Sequence, residues 1–220
     1  MIRQIWIKEF IKLNKVIFAV FLASAGYAVY FWLKLRSGFS MMNPVMIWTD
    51  IIDKHSFFFG RFEILLQVSA IALGVMQFYP ETEKKRFRIS CHLPVNEYAM
   101  TGSMVFFGIS VITLLWIFDA AVVYLSARVY FPYEIYSEAP VVMFYWYLTA
   151  VVIYIFVSSF TLEPVWKQKF KLGIMLGAFS GFFAVSVYNS DRTILMLSCM
   201  LAVMFIPVLF YPALRFRKGA

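Results

Sequence analysis

The chain has 220 residues, of which 62% are apolar, 20% aromatic and only 15% charged, with a formal net charge of +8 at pH 7 and a mean hydropathy of +0.77. No soluble domain of this size has an interior large enough to hide that much apolar surface, so the composition excludes an ordinary water-soluble fold and points to an integral membrane protein. The alternating segments of about ten residues that mark an outer-membrane barrel are missing; helices, which satisfy their own backbone groups in lipid, remain.

The first fifteen residues, MIRQIWIKEFIKLNK, place Ile2, Ile5, Trp6, Phe10 and Leu13 on one helical stripe and Lys8, Lys12 and Lys15 around the other side. That pattern predicts an amphipathic helix in the membrane interface whose lysines reach lipid phosphates; a plain basic flank that orients the first span is the simpler alternative. Runs long enough to cross a hydrocarbon core of roughly 30 Å, about 20 helical residues, fall at 16–35, 62–79, 102–127, 141–162, 172–188 and 193–213. The expectation is therefore an all-α membrane protein, one transmembrane domain over 1–220 with six spans. Ala23-Ser24-Ala25 resembles a signal cleavage site, but the apolar run continues from Tyr27 to Leu35, which favours an uncleaved first span.

Residues 36–61 form the one long loop on the far side, where VMIWTDIID is expected to make a short surface helix begun by Asn43-Pro44, with Trp48, Phe57, Phe58 and Phe59 as an aromatic belt at headgroup level. In the second span Glu63 and Gln67 lie one turn apart.

The stretch YPETEKKRFRISCHLPVNEYAM, residues 79–100, interrupts the apolar pattern with acids first and bases after. It reads as a helix outside the bilayer: Pro80 in its first turn, Glu81 and Glu83 at its positive N-terminal end, and Leu93-Pro94 as the stop. Phe87, Ile89, Cys91 and Leu93 give it apolar contact points.

In the third span Asp119, within LLWIFDAAVVY, lies about 26 Å from the start of the span at 1.5 Å per residue. Together with Glu63 and Gln67 it is a candidate for a transport pathway; interhelical hydrogen bonding, or an ion pair with Arg61, Arg128 or Arg192, is the structural alternative. The fifth span aligns Gly173, Gly177 and Gly181 on one face, a pattern for close helix association within or between subunits. Pro207 should kink the sixth span.

The basic residues set the orientation. Arg3, Lys8, Lys12 and Lys15 precede the first span; Lys84, Lys85, Arg86 and Arg88 follow the second; Lys167, Lys169 and Lys171 follow the fourth; Arg215, Arg217 and Lys218 follow the last. Both termini are thus expected in the cytoplasm. The net positive charge answers to anionic headgroups, and no nucleic-acid partner is implied. Cys91 and Cys199 have no shared location in which to pair. No HExxH, paired-cysteine, GxSxG or phosphate-loop motif occurs, so no catalytic or metal residue is assigned.

The segment PETEKKRFRISCHLPVNEYAM, with Glu81, Arg86, Leu93, Pro94, Val95 and Glu97, resembles the region after the second span in permease subunits of ABC-2 type transporters, and the six-span outline with cytoplasmic termini is similar. The resemblance implies a half-transporter of a bacterial cytoplasmic (inner) membrane that works as an exporter, with no cofactor of its own; ATP and Mg would be bound by a separate nucleotide-binding ATPase in a 2:2 assembly with a second permease copy or homologue. It implies that Glu81, Glu83, Arg86, Phe87, Arg88 and Leu93 dock on that ATPase, with the amino-terminal helix and residues 163–171 as secondary contacts. One departure stands out: the outward segment between spans five and six is reduced to residues 189–192. A non-transporting scaffold subunit and an ion-coupled carrier using Asp119 and Glu63 are the alternatives.

Overall fold

The computed structural model describes residues 2–41, 44–53, 58–59, 62–83, 97–188 and 192–217. They form helices in the order α1 (Ile2–Met41), α2 (Pro44–Asp53), α3 (Phe62–Glu83), α4 (Glu97–Tyr130), the single turn α5 (Tyr133–Tyr136), α6 (Ala139–Leu162), α7 (Trp166–Tyr188) and α8 (Arg192–Phe205). A 3₁₀ turn, Ile206–Leu209, then leads into α9 (Phe210–Arg217). No strand occurs among the described residues. Four helices, α1, α3, α4 and the α5–α6 stretch, are long and apolar enough to cross a membrane, which is the composition argument realised in structure.

The helix α6 is the axis of the bundle. It packs against α3, α4, α7 and α8, and its Tyr145, Trp146, Tyr154 and Phe156 are fully buried. In lipid there is little hydrophobic gain in bringing helices together, so close contact and hydrogen bonds must hold them. Glycines allow that contact where α6 needs it. A Cβ on Gly74 of α3 would stand 3.1 Å from Val157 Cγ1, and one on Gly108 of α4 would collide with the Tyr154 hydroxyl and stand 2.8 Å from Gln77 Oε1.

At one end of the bundle aromatic rings fill the space between helix ends. Phe62 meets Tyr27 and Phe31 edge-on at 4.6 and 5.4 Å, Phe58 stacks on Phe131 at 4.5 Å, and Phe59 packs on Trp146 at 5.2 Å. Trp48 of α2 donates its indole N–H to the Tyr130 carbonyl at 3.3 Å. Phe59 is therefore a core residue and Phe58 is half-buried against the core, where α1, α4 and α6 leave a gap that large rings close; Phe57 lies outside the described residues.

Three sequence expectations change. The amino-terminal helix and the first span are one unbroken rod of 40 residues, about 60 Å long, because residues 2–41 contain no proline to end the helix. Its buried stripe also differs: Glu9 and Leu13 are fully buried while Phe10 is half exposed. Pro80 does not begin a new helix. It lies inside α3, which runs on to Glu83, so Glu81 and Glu83 sit in a helix's last turn instead of its first. The short helix at residues 44–53 and the disturbance at Pro207, where the α-helix tightens to 3₁₀, are as expected.

The Gly108 contact yields a direct check. Gly108→Ala should lower stability in detergent by about 1–3 kcal/mol, the usual cost of overpacking, whereas Gly26→Ala, with nothing within 4 Å of its Cβ, should be neutral or slightly stabilising. Thermal unfolding of the two variants side by side decides it.

Candidate functional site

The end of the bundle opposite the aromatic cluster is polar and buried. Glu9 and Glu81 carry charge in positions almost closed to solvent, at 0% and 2% exposure, and a carboxylate so placed must be paired. The Lys12 ammonium supplies the pairing for both: it contacts Glu9 Oε1 at 2.8 Å, Glu81 Oε1 at 3.2 Å and the Gln77 carbonyl at 2.9 Å. All three donors of the ammonium are thereby used. Lys8 adds a second ion pair to Glu81 Oε1 at 2.9 Å. Two acids and two lysines leave the cluster neutral.

Its position follows from the helices that carry it. Ile5, Glu9 and Leu13 recur at intervals of four and so share one face of α1. That face meets the last turn of α3, where Pro80 has no N–H to donate to the Met76 carbonyl. The lysine contacts to the Gln77 carbonyl and the Glu81 carboxylate hold this turn helical beyond the proline.

From Gln77 the network reaches two more helices. Its amide donates to the Met104 carbonyl of α4 at 2.8 Å, and its side-chain oxygen accepts the Tyr154 hydroxyl of α6 at 2.6 Å. Four helices thus meet at one junction. The second carboxylate oxygens of Glu9 and Glu81 have no hydrogen-bond partner among the described residues.

A separate ion pair closes the carboxy-terminal helix onto the same end. Arg215 binds Glu163 at 3.2 Å and donates to the Tyr211 hydroxyl at 2.6 Å, while Glu163, buried after the end of α6, also accepts the Val165 N–H at 3.3 Å. Tyr98 and Phe210 pack at 5.6 Å beside it, so the start of α4 and α9 share this end with the start of α1.

The structure separates the residues proposed from sequence. Glu81 is turned into the bundle against Lys8 and Lys12 instead of outward, and the two lysines are held by acids instead of lipid phosphates. Glu83 ends α3 on its exposed side. Arg86, Phe87, Arg88 and Leu93 lie outside the described residues. Gln67 and Glu63 are joined by a hydrogen bond of 2.9 Å. Asp119 is buried and accepts the Ser24 hydroxyl of α1, with its other oxygen unpartnered among the described residues; this is interhelical hydrogen bonding rather than an ion pair. Gly173, Gly177 and Gly181 have nothing within 4 Å of a Cβ, so their face of α7 meets no helix of this chain among the described residues.

Glu9, Gln77 and Tyr154 are absent from the residues that sequence reasoning singled out, and Ser24 entered it only as part of a cleavage-site resemblance. Glu9 had a signal, an acid at the spacing of the apolar stripe. No family model, curated protein or solved structure matches this chain.

Among the described residues the junction pairs no nucleophile with a base. It is an electrostatic clamp: removal of Lys12 strands the buried Glu9 carboxylate and leaves Glu81 with Lys8 alone. Lys12→Met should destabilise the protein by about 3–5 kcal/mol, and adding Glu9→Gln should recover part of that loss. Unfolding midpoints for the single and double variants measure the coupling.

Proposed function

We propose that the chain is the membrane-embedded permease subunit of an ABC-2 type transporter, driven by a separate nucleotide-binding ATPase and working as an exporter. The observation that supports this best is the ion-paired junction at Glu81. It anchors the end of α3, immediately before the charged segment 84–96, to α1, α4 and α6 at once. A partner that pushed on that segment would act on four helices through the hydrogen bonds and ion pairs at the end of α3.

In this reading α7 serves as the fifth span and α8 through α9 as the sixth, so both termini and the charged segment face the cytoplasm of a bacterial cell. Arg86, Phe87, Arg88 and Leu93 grip the ATPase, while Glu81 has a different part: it holds the grip to the bundle. Two permease copies and two ATPase subunits make the working assembly, and ATP and Mg belong to the ATPase.

One observation favours a second reading. Asp119, buried beside Ser24 with a carboxylate oxygen that has no partner among the described residues, is the kind of intramembrane acid that ion-coupled carriers use.

Purification in mild detergent tests both. A soluble P-loop ATPase should co-purify in a 2:2 complex, and Phe87→Asp or Arg88→Glu should weaken its retention by about tenfold or more. If no ATPase associates and both variants retain transport, the permease reading fails. The carrier reading instead requires that transport stop when the proton gradient is collapsed with ATP present, and that Asp119→Asn abolish it.

A further inference from the structure

Along its outward side the bundle has an open groove of about 700 Å³ between α1 and α3. Small side chains make it: Ala19 and Ala23 on α1 face Ala72 on α3, and the flanking Ile64, Val68 and Met76 are more than half exposed. Ser69, the one polar residue in its floor, spends its hydroxyl on the Leu65 carbonyl at 2.7 Å, so the walls offer no free hydrogen-bonding group there.

Charge enters at one end alone. Lys15 lines the groove at the end nearest the polar junction, and no acidic residue lines it among the described residues. Lys8 and Lys12 are already paired with Glu81 and Glu9; Lys15 makes no ion pair among the described residues. From Lys15 to Ala23 the helix rises about 12 Å, and from Met76 to Ile64 about 18 Å. That is the depth of one leaflet, roughly half of a 30 Å hydrocarbon core. A second helix laid in the groove would want a contact running through both leaflets; an acyl chain wants one.

We infer that this groove is a binding site for an anionic phospholipid of one leaflet, its acyl chain along Ala19, Ala23 and Ala72 and its phosphate on Lys15. The inference rests on the chain's being membrane-embedded and is independent of whether an ATPase drives it.

Spin-labelled phosphatidylglycerol and phosphatidylcholine, each added to vesicles of unlabelled phosphatidylcholine containing the full chain, provide the probe. The motionally restricted fraction should favour phosphatidylglycerol by about fivefold, the effect of one basic residue near an anionic headgroup. Lys15→Ala should abolish the preference, Lys15→Arg should keep it, and Ala23→Phe should shrink the restricted fraction for both lipids. Equal restriction of the two lipids by the unmodified chain, or a restricted fraction untouched by Ala23→Phe, overturns the site. So does efficient cross-linking of an Ala23→Cys variant into dimers in a Cys91→Ser, Cys199→Ser background, because a second copy would then occupy the groove.

Discussion

The junction of α1, α3, α4 and α6 depends on one ammonium group. Lys12 reaches from α1 into a space that two carboxylates and a main-chain carbonyl share, and the energetic logic is asymmetric. A buried ion pair adds little to stability compared with well-packed apolar side chains, yet removing one partner is costly. Such a group contributes specificity: it fixes which turn of α3 lies against which turn of α1. The hydrogen bonds from Gln77 to α4 and α6 then inherit that register, and Gly108 is the only residue type that lets Tyr154 reach its place.

The two ends of the bundle solve the same problem by different means. Helices in lipid must be positioned without much help from the hydrophobic effect. At one end rings interlock, with Phe31, Phe58, Phe59, Phe62, Phe131 and Trp146 in edge and stacked contacts. At the other, charges and amides do so with directional bonds. Rings tolerate small slips; an ion pair at 2.8 Å does not. The polar end is thus the one where a change in spacing carries the larger energetic consequence.

Composition and hydropathy made the helical membrane architecture legible, along with the location of the long apolar helices, because both depend on sums over many residues. The short helix begun at Pro44 and the irregularity at Pro207 were legible too, since proline acts locally. What escaped was decided by contacts between distant positions. Pro80 looked like a helix start, because nothing in YPETE reveals that Lys8 and Lys12, some 70 residues earlier, will hold the turn after it. Phe58 and Phe59 looked like a belt because an aromatic residue has the same letter whether it faces a headgroup or Trp146. Glu9 was masked by the lysines around it, although its spacing from Ile5 and Leu13 marked the buried face. Asp119 was visible as an anomaly, but Ser24, a partner with no charge, was not.

The unbroken course of α1 has a mechanical meaning. Lys8 and Lys12 near its start, Ser24 midway and Phe39 close to its end touch three different neighbours: the α3 terminus, Asp119 of α4, and the rings of Tyr130 and Phe131. About 46 Å separates Lys8 from Phe39 along the axis, and no proline lies between them to absorb a bend. A tilt imposed at the charged end therefore arrives at the aromatic end as a displacement of opposite sense, with the Ser24 contact as fulcrum. A rod of this kind would link the two ends of the bundle through a single secondary-structure element.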